Sequence, residues 1–157
     1  MQPDTYALRR GLARGRRRCC SRGPRSVVTL AVVDASVLVA FYPSDDPRRV
    51  DVVNRLVAGD ALYAPAHLDA EVVSALCGLA RVKPAVERAV PNALRHPAGF
   101  PIRRMPLAPL FDRIWDLRAN VTAYDAAYVA LAEHLSAPVI TCDAKLTTVM
   151  GRGAPST

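Results

Sequence analysis

What this chain lacks narrows it first. Its four cysteines, Cys19, Cys20, Cys77 and Cys142, form no Cys-x-x-Cys pair, which argues against the common zinc sites. Cys77 and Cys142 fall in apolar segments and read as core thiols, which suits a reducing compartment and a cytoplasmic location. No apolar run is long enough to cross a bilayer, since the longest, Val27 to Tyr42, is broken by Asp34. Arginines ahead of that run resemble a secretory leader, but the uninterrupted part is short and no small-x-small cleavage site follows. His67, His96 and His134 share no spacing that suggests a site, and none is assigned one. No internal repeat is visible.

The chain also lacks a charge excess where a core can form. Residues 1–26 hold eight arginines and one acid, while the remaining residues carry thirteen basic and thirteen acidic side chains. The overall +7 therefore belongs to the N-terminal segment and says nothing of the body. That segment is rich in Arg and Gly and has no apolar periodicity, so it reads as a disordered extension. Three readings of it stay open: a basic arm that touches nucleic acid, a solvated tail without a role, or an overextended reading frame ahead of a start near Val27 or Val28.

What is present from residue 27 to 157 is one domain's worth of alternating strands and helices. Hydrophobic residues make up 51% of the whole chain, enough to build a core. Leu30 to Val33 reads as a buried strand, and Ala35 to Ala40 as the start of a helix. Val50, Val53, Leu56 and Val57 recur at helical spacing after Pro47. Ala61 to Ala64 reads as a second strand. A helix from about Ala66 to Val82 has Leu68, Val72, Ala75, Leu76 and Leu79 on its apolar face. A weaker helical segment follows Pro84 and is interrupted by Pro91. A short strand is expected around Ile102, a helix between about Pro109 and Ala119, and another from Thr122 to about Leu135. Pro138 to Cys142 reads as a strand, and the last residues as polar and frayed. This alternation predicts a parallel sheet covered on both faces.

Four acids do not fit that pattern. Asp34 and Asp143 each follow an apolar strand, which places them at one edge of a parallel sheet, where ligands of such sheets bind. Asp125 sits within an apolar helical stripe, between Val121 and Val129, and Glu71 borders the buried face of its helix. Taken singly, each has an ordinary explanation: Asp34 as a helix cap, Asp143 as a turn residue, Glu71 as a rim residue, and Asp125 as part of a Thr122-x-x-Asp125 capping box. Taken together, they share one chemistry. Carboxylate oxygens are hard ligands suited to Mg²⁺ or Mn²⁺. A site of four acids repels itself without a cation and should raise the pKa of one or more of them. With a metal it suits phosphodiester hydrolysis. Ser36 and Thr141, two residues from Asp34 and Asp143, are placed to orient those carboxylates from a second layer.

Val32-Val33-Asp34-Ala35-Ser36-Val37-Leu38, Glu71 on an early helix, Thr122-Ala123-Tyr124-Asp125-Ala126-Ala127-Tyr128, and Pro138-Val139-Ile140-Thr141-Cys142-Asp143 stand in an order that resembles the PIN-domain family. Within it the match is to VapC-type toxins of type II toxin–antitoxin systems, from about Leu30 to Met150. The resemblance implies an α/β fold of three layers, α/β/α, around a central parallel sheet, with residues 27–157 as the PIN-like nuclease domain. It implies an endoribonuclease dependent on Mg²⁺ or Mn²⁺, with Asp34, Asp125 and Asp143 holding metal and Glu71 holding metal or positioning the attacking water. It further implies an RNA substrate such as tRNA or rRNA, a cognate VapB-type antitoxin, a homodimer and no membrane. Lys145 stands two residues past Asp143, where many relatives carry a further acid, and this counts against a second metal. Two rival readings follow from the residues. One is a PIN-like module that binds RNA or antitoxin without turnover, suggested by Lys145. The other is a phosphohydrolase with Asp34 as nucleophile, opposed by Ser36 where such enzymes need a second acid.

Overall fold

The computed structural model describes residues 29–93, 95 and 101–152. The N-terminal extension, Cys19, Cys20 and His96 lie outside the described residues. Four strands form one wholly parallel sheet: β1 (Leu30–Val33), β2 (Ala61–Pro65), β3 (Ile102–Met105) and β4 (Val139–Ile140). Their order across the sheet is β3-β2-β1-β4. The chain steps from β1 outward to β2 and β3, then returns to add β4 on the other side of β1. The direction of winding thus reverses at β1, and a crevice opens beyond the carboxyl ends of β1 and β4.

Among the described residues, seven α-helices join and cover these strands: α1 (Ala35–Phe41), α2 (Arg49–Leu56), α3 (Leu68–Val82), α4 (Pro84–Ala93), α5 (Phe111–Leu117), α6 (Ala123–Leu135) and α7 (Ala144–Arg152). Helix α6 packs on β1, β2 and β4, and α5 packs on α6. Helix α1 packs on α2 and α3, and α3 packs on α4. This is the three-layer α/β/α arrangement expected from the alternation. The core runs through Val32, Val37, Leu38, Leu68, Val72, Leu76, Tyr128 and Leu131, all buried. Seven consecutive residues of α6, Ala126 to Ala132, are buried, mostly small ones that let the helix lie close against the sheet.

Several expectations need correction. In α2 the buried residues are Val52 and Leu56, whereas Val50 and Val57 are exposed. The helix is rotated from the face the valines suggested, because only one stripe of eight residues can reach α1. Cys77 is exposed and Cys142 half-buried, so Cys77 is no core thiol. Helix α4 continues through Pro91, which stands in its last turn and removes only a terminal hydrogen bond. Residues 144–152 are helical, and the last residues expected to fray, 153–157, lie outside the described residues. Strand β4 stops at Ile140, short of Cys142. Gly59, after α2, has φ +96°, a left-handed conformation that favours glycine and turns the chain into β2.

Candidate active site

The register of β1 on β4 builds the site. Val32 pairs with Val139 and Val33 with Ile140, and the Asp34 N–H donates to the Ile140 carbonyl at 3.0 Å. The next step of that register brings Thr141 to Asp34. Thr141 Oγ1 donates to Asp34 Oδ2 at 2.8 Å, and Ser36 Oγ donates to the same oxygen. Ser36 Oγ in turn accepts the Cys142 N–H at 2.9 Å, and Thr141 Oγ1 accepts the Asp143 N–H at 2.9 Å. The two hydroxyls therefore fasten the carboxylate and the backbone after β4 to each other. Both act on Oδ2 and leave Oδ1 free of them. Asp34 is 6% exposed and is the one buried charged residue among the described residues.

Asp143 lies three residues beyond β4, not directly after it, because Thr141 takes the place beside Asp34. Its carbonyl accepts the Thr147 N–H at 3.2 Å and its Oδ1 accepts the Lys145 N–H at 2.8 Å, so it also caps α7. Asp125 likewise has a structural tie. Thr122 is the N-cap of α6, accepting the Asp125 N–H at 3.2 Å and donating its hydroxyl to Asp125 Oδ2 at 2.7 Å.

Glu71, on the first turn of α3, accepts a hydrogen bond from the Tyr128 hydroxyl at 2.6 Å. His67 Nε2 stands 3.3 Å from the same Glu71 oxygen, within ion-pair distance but outside the alignment of a hydrogen bond. The His67 ring also meets Tyr124 and Tyr128 edge-on at 5.4 and 5.3 Å. Burial alone raises the Glu71 pKa, but His67 and the Tyr128 hydroxyl outweigh it and hold the carboxyl below its usual range. The expectation that crowding raises an acid's pKa does not hold at Glu71. Tyr128 moves the other way. Burial and its bond to Glu71 push the phenol well above its ordinary value, so it remains a donor. His67 and Tyr128 carried no assigned role in the sequence reading. The signal was the His67-x-x-x-Glu71 spacing, which stacks the two side chains on one helix face.

All four acids line one open cavity of about 580 Å³, together with Ser36, Ser74 and Tyr124. Among the described residues, none that lines it is a lysine or arginine. The acids are not gathered around a point, however. Among the described residues no three His, Cys, Asp or Glu side chains stand close enough to hold one ion. The reason is visible in their bonds: Glu71 is drawn to Tyr128, Asp125 to Thr122 and Asp143 to the α7 backbone. The donor set nevertheless fits a hard divalent cation, being carboxylate oxygens around a space with no lysine or arginine on its wall among the described residues.

A parallel α/β sheet with four carboxylates lining one cavity where its winding reverses has the character of a PIN-like protein. The family model of the PIN domain matches residues 31–150, and the chain belongs to the PIN-domain family, among its VapC-type toxins. It is 37% identical to a VapC ribonuclease of Mycobacterium bovis over 118 residues, covering 75% of this chain and 89% of that protein. It is 38% identical to ribonuclease VapC12 of Mycobacterium tuberculosis over 135 residues, covering 80% of this chain and 95% of that protein. Among solved structures, VapC20 of Mycobacterium tuberculosis, a sarcin-ricin loop cleaving toxin, aligns with a TM-score of 0.57 at 17% identity, over 76% of this chain and 94% of that one. PAE2754 from Pyrobaculum aerophilum aligns with a TM-score of 0.56 at 21% identity, over 82% of this chain and 97% of that one. At those identities the two structures speak for the fold alone. Among the described residues no helix is long and apolar enough to cross a membrane.

Proposed function

We propose that the protein is an endoribonuclease toxin of a toxin–antitoxin pair, dependent on Mg²⁺ or Mn²⁺. The observation that carries this reading is the cavity shared by Asp34, Glu71, Asp125 and Asp143, with no lysine or arginine on its wall among the described residues. The ribonuclease character of the VapC relatives supports RNA as the substrate. Asp34, Asp125 and Asp143 would hold the metal, and Glu71 would hold it or position the attacking water. A divalent ion in such a site supplies polarisation of a phosphoryl oxygen and a water acidic enough to attack at neutral pH.

The chain's own residues do the rest. Ser36 and Thr141 fix one oxygen of Asp34 and leave the other free of them in a residue that lines the cavity. Tyr128 and His67 keep Glu71 ionised and facing the same space. Water adds to phosphorus in line with the departing 3′ oxygen, the P–O3′ bond breaks, and that oxygen takes a proton. The products are a 3′-hydroxyl and a 5′-phosphate. Structured RNA such as tRNA or rRNA is the proposed target, translation and growth the processes restrained, and a VapB-type antitoxin and a second copy of this chain the proposed protein partners.

The test is incubation of the purified protein with total RNA, in Mg²⁺, in Mn²⁺ and in EDTA. Cleavage in either metal, absent in EDTA and lost in Asp34→Asn, is the expected result. Equal cleavage under all conditions, or cleavage untouched by the substitution, would defeat the reading. A second reading is favoured by Lys145 and by the separation of the acids: a PIN-like module that binds RNA or antitoxin without turnover. Binding of RNA with no cleavage in either metal would establish it.

A further inference from the structure

Beside the acidic cavity lies another of about 680 Å³, and Asp125 lines both. Its character is opposite. Arg118, Asn120 and Lys145 line it, with Thr122 and Thr148. Elsewhere in the described residues, Arg48, Arg55, Arg104 and Arg113 each pair with a carboxylate. Arg118 and Lys145 stand in no such ion pair among the described residues.

The Arg118 guanidinium is held in place, and Lys145 is anchored through its backbone. Arg118 Nη1 donates to the Trp115 carbonyl at 2.7 Å, and its guanidinium lies over the Trp115 ring, 4.5 Å from the centroid. The Lys145 backbone is tied to Asp143 through its N–H. The Thr122 hydroxyl is already given to Asp125, and the Thr148 hydroxyl donates to the Ala144 carbonyl at 2.9 Å. The donors left for a ligand are therefore the guanidinium, the ammonium and the Asn120 amide.

We propose that this second cavity is the subsite for the RNA phosphate adjacent to the one cleaved, neutralised by Arg118 and Lys145. The inference rests on the ribonuclease reading above and names how that substrate is held. A polyanion approaching four carboxylates is repelled, and the body of the chain has no net charge to draw it in. Phosphate contacts supply most of the affinity and set the register of a nucleic acid on a protein. The cavity lies within the roughly 300–1,000 Å³ usual for ligand clefts. Arg118 presents a planar fork already oriented by Trp115, the geometry that suits a phosphate. Lys145 puts a positive charge two residues along the chain from Asp143, in the lining of the cavity that shares Asp125 with the acidic one.

Binding of a fluorescein-labelled pool of RNA stem-loops with randomised loops, measured by anisotropy in EDTA across a salt series, tests the subsite apart from the chemistry. The variant Arg118→Ala/Lys145→Ala should bind more weakly, with its salt slope lower by about 0.7, one single-strand phosphate's worth. Lys145→Arg should restore most of what Lys145→Ala loses. Arg88→Ala, an exposed arginine on α4, should bind as the wild type does. A neutral methylphosphonate moved along the loop of a cleaved RNA should weaken the wild type at the linkage next to the cut and leave the double variant indifferent there. An unchanged slope in the double variant, or an equal loss in Arg88→Ala, overturns the subsite even if the wild type cleaves RNA in Mg²⁺. Failure of the wild type to cleave, with the slope change still present, overturns the ribonuclease reading and with it the subsite's place beside a cut, leaving Arg118 and Lys145 as an RNA phosphate contact only.

Discussion

The acids outside the cavity and the acids inside it are treated differently by this fold. Outside, Asp46, Asp60, Asp69 and Glu133 each take an arginine, from Arg48, Arg55, Arg104 and Arg113 respectively. The other described acids beyond the cavity, Asp45, Asp51, Glu87, Asp112 and Asp116, are exposed to water. Inside, Asp34, Glu71, Asp125 and Asp143 are held by hydroxyls, a phenol, a histidine and a backbone amide, with no lysine or arginine on the lining among the described residues. Hydroxyl and amide donors orient a carboxylate while leaving its charge to attract something else. On the proposed function, that something is a divalent cation.

The strongest way to break that contrast is to neutralise one acid inside. Asp34→Asn should keep the fold and its two hydroxyl contacts, and reduce RNA cleavage at least about 100-fold, equivalent to about 2.7 kcal/mol of barrier. Normal turnover in this variant would remove the cavity acids from the chemistry. Next comes metal addition without substrate. Mg²⁺ or Mn²⁺ at about 100 times its dissociation constant should stabilise the protein by about 2.7 kcal/mol, raising the melting temperature on the order of 5–10 °C over EDTA. Asp34→Asn should abolish most of that shift. A melting curve indifferent to either metal would place the cation elsewhere or nowhere.

A smaller effect separates orientation from charge. Thr141→Val removes the hydroxyl donor to Asp34 and the acceptor for the Asp143 N–H while keeping the shape of the side chain. Partners of metal-binding side chains commonly account for about 10- to 100-fold in affinity or activity. Thr141→Val should fall in that range, and Thr141→Ser should recover most of it. Loss as complete as in Asp34→Asn would make Thr141 more than an orienting residue.

The strand-borne part of the site was more legible than the helix-borne part, for a physical reason. Asp34 interrupts a run of Val, Ala and Leu between a buried strand and a buried helix, so its misfit shows in one dimension. Thr141 and Ser36 follow from the same local spacing. The β4 boundary was misplaced because Thr141 and Cys142 look strand-like, while in the fold they serve Asp34 and Ser36 rather than the ladder. Glu71 was found only as a borderline residue, and His67 and Tyr128 had no assigned role. Tyr128 reaches Glu71 across 57 residues of sequence, and no periodicity encodes a contact of that kind. Helix α7 went unseen because Leu146 is its one buried residue among those whose side chains are described, too little for a helical stripe. Val50 and Val57 misled because valine is a fair marker of a core but no guarantee of one.

The smallest effect tests the other side of the contrast. The Arg48 guanidinium, bonded to both oxygens of Asp46, outweighs burial and, with the Arg48 N–H, lowers that carboxyl from 3.8 to about 2. A carboxyl held low in the folded state contributes stability that is complete above its unfolded value. That contribution is lost as pH falls from about 4 through 2, where the unfolded chain takes up the proton first. Water screens a pair at the surface, so the contribution is less than about 1 kcal/mol. Asp46→Asn should therefore lower the melting temperature only slightly at pH 7 and flatten the acid limb between pH 4 and 2. It should leave RNA cleavage unchanged, since Asp46 lies outside the acidic cavity. Loss of cleavage in Asp46→Asn would mean that the paired and unpaired acids are not separate populations, and the division between the two regions would fail.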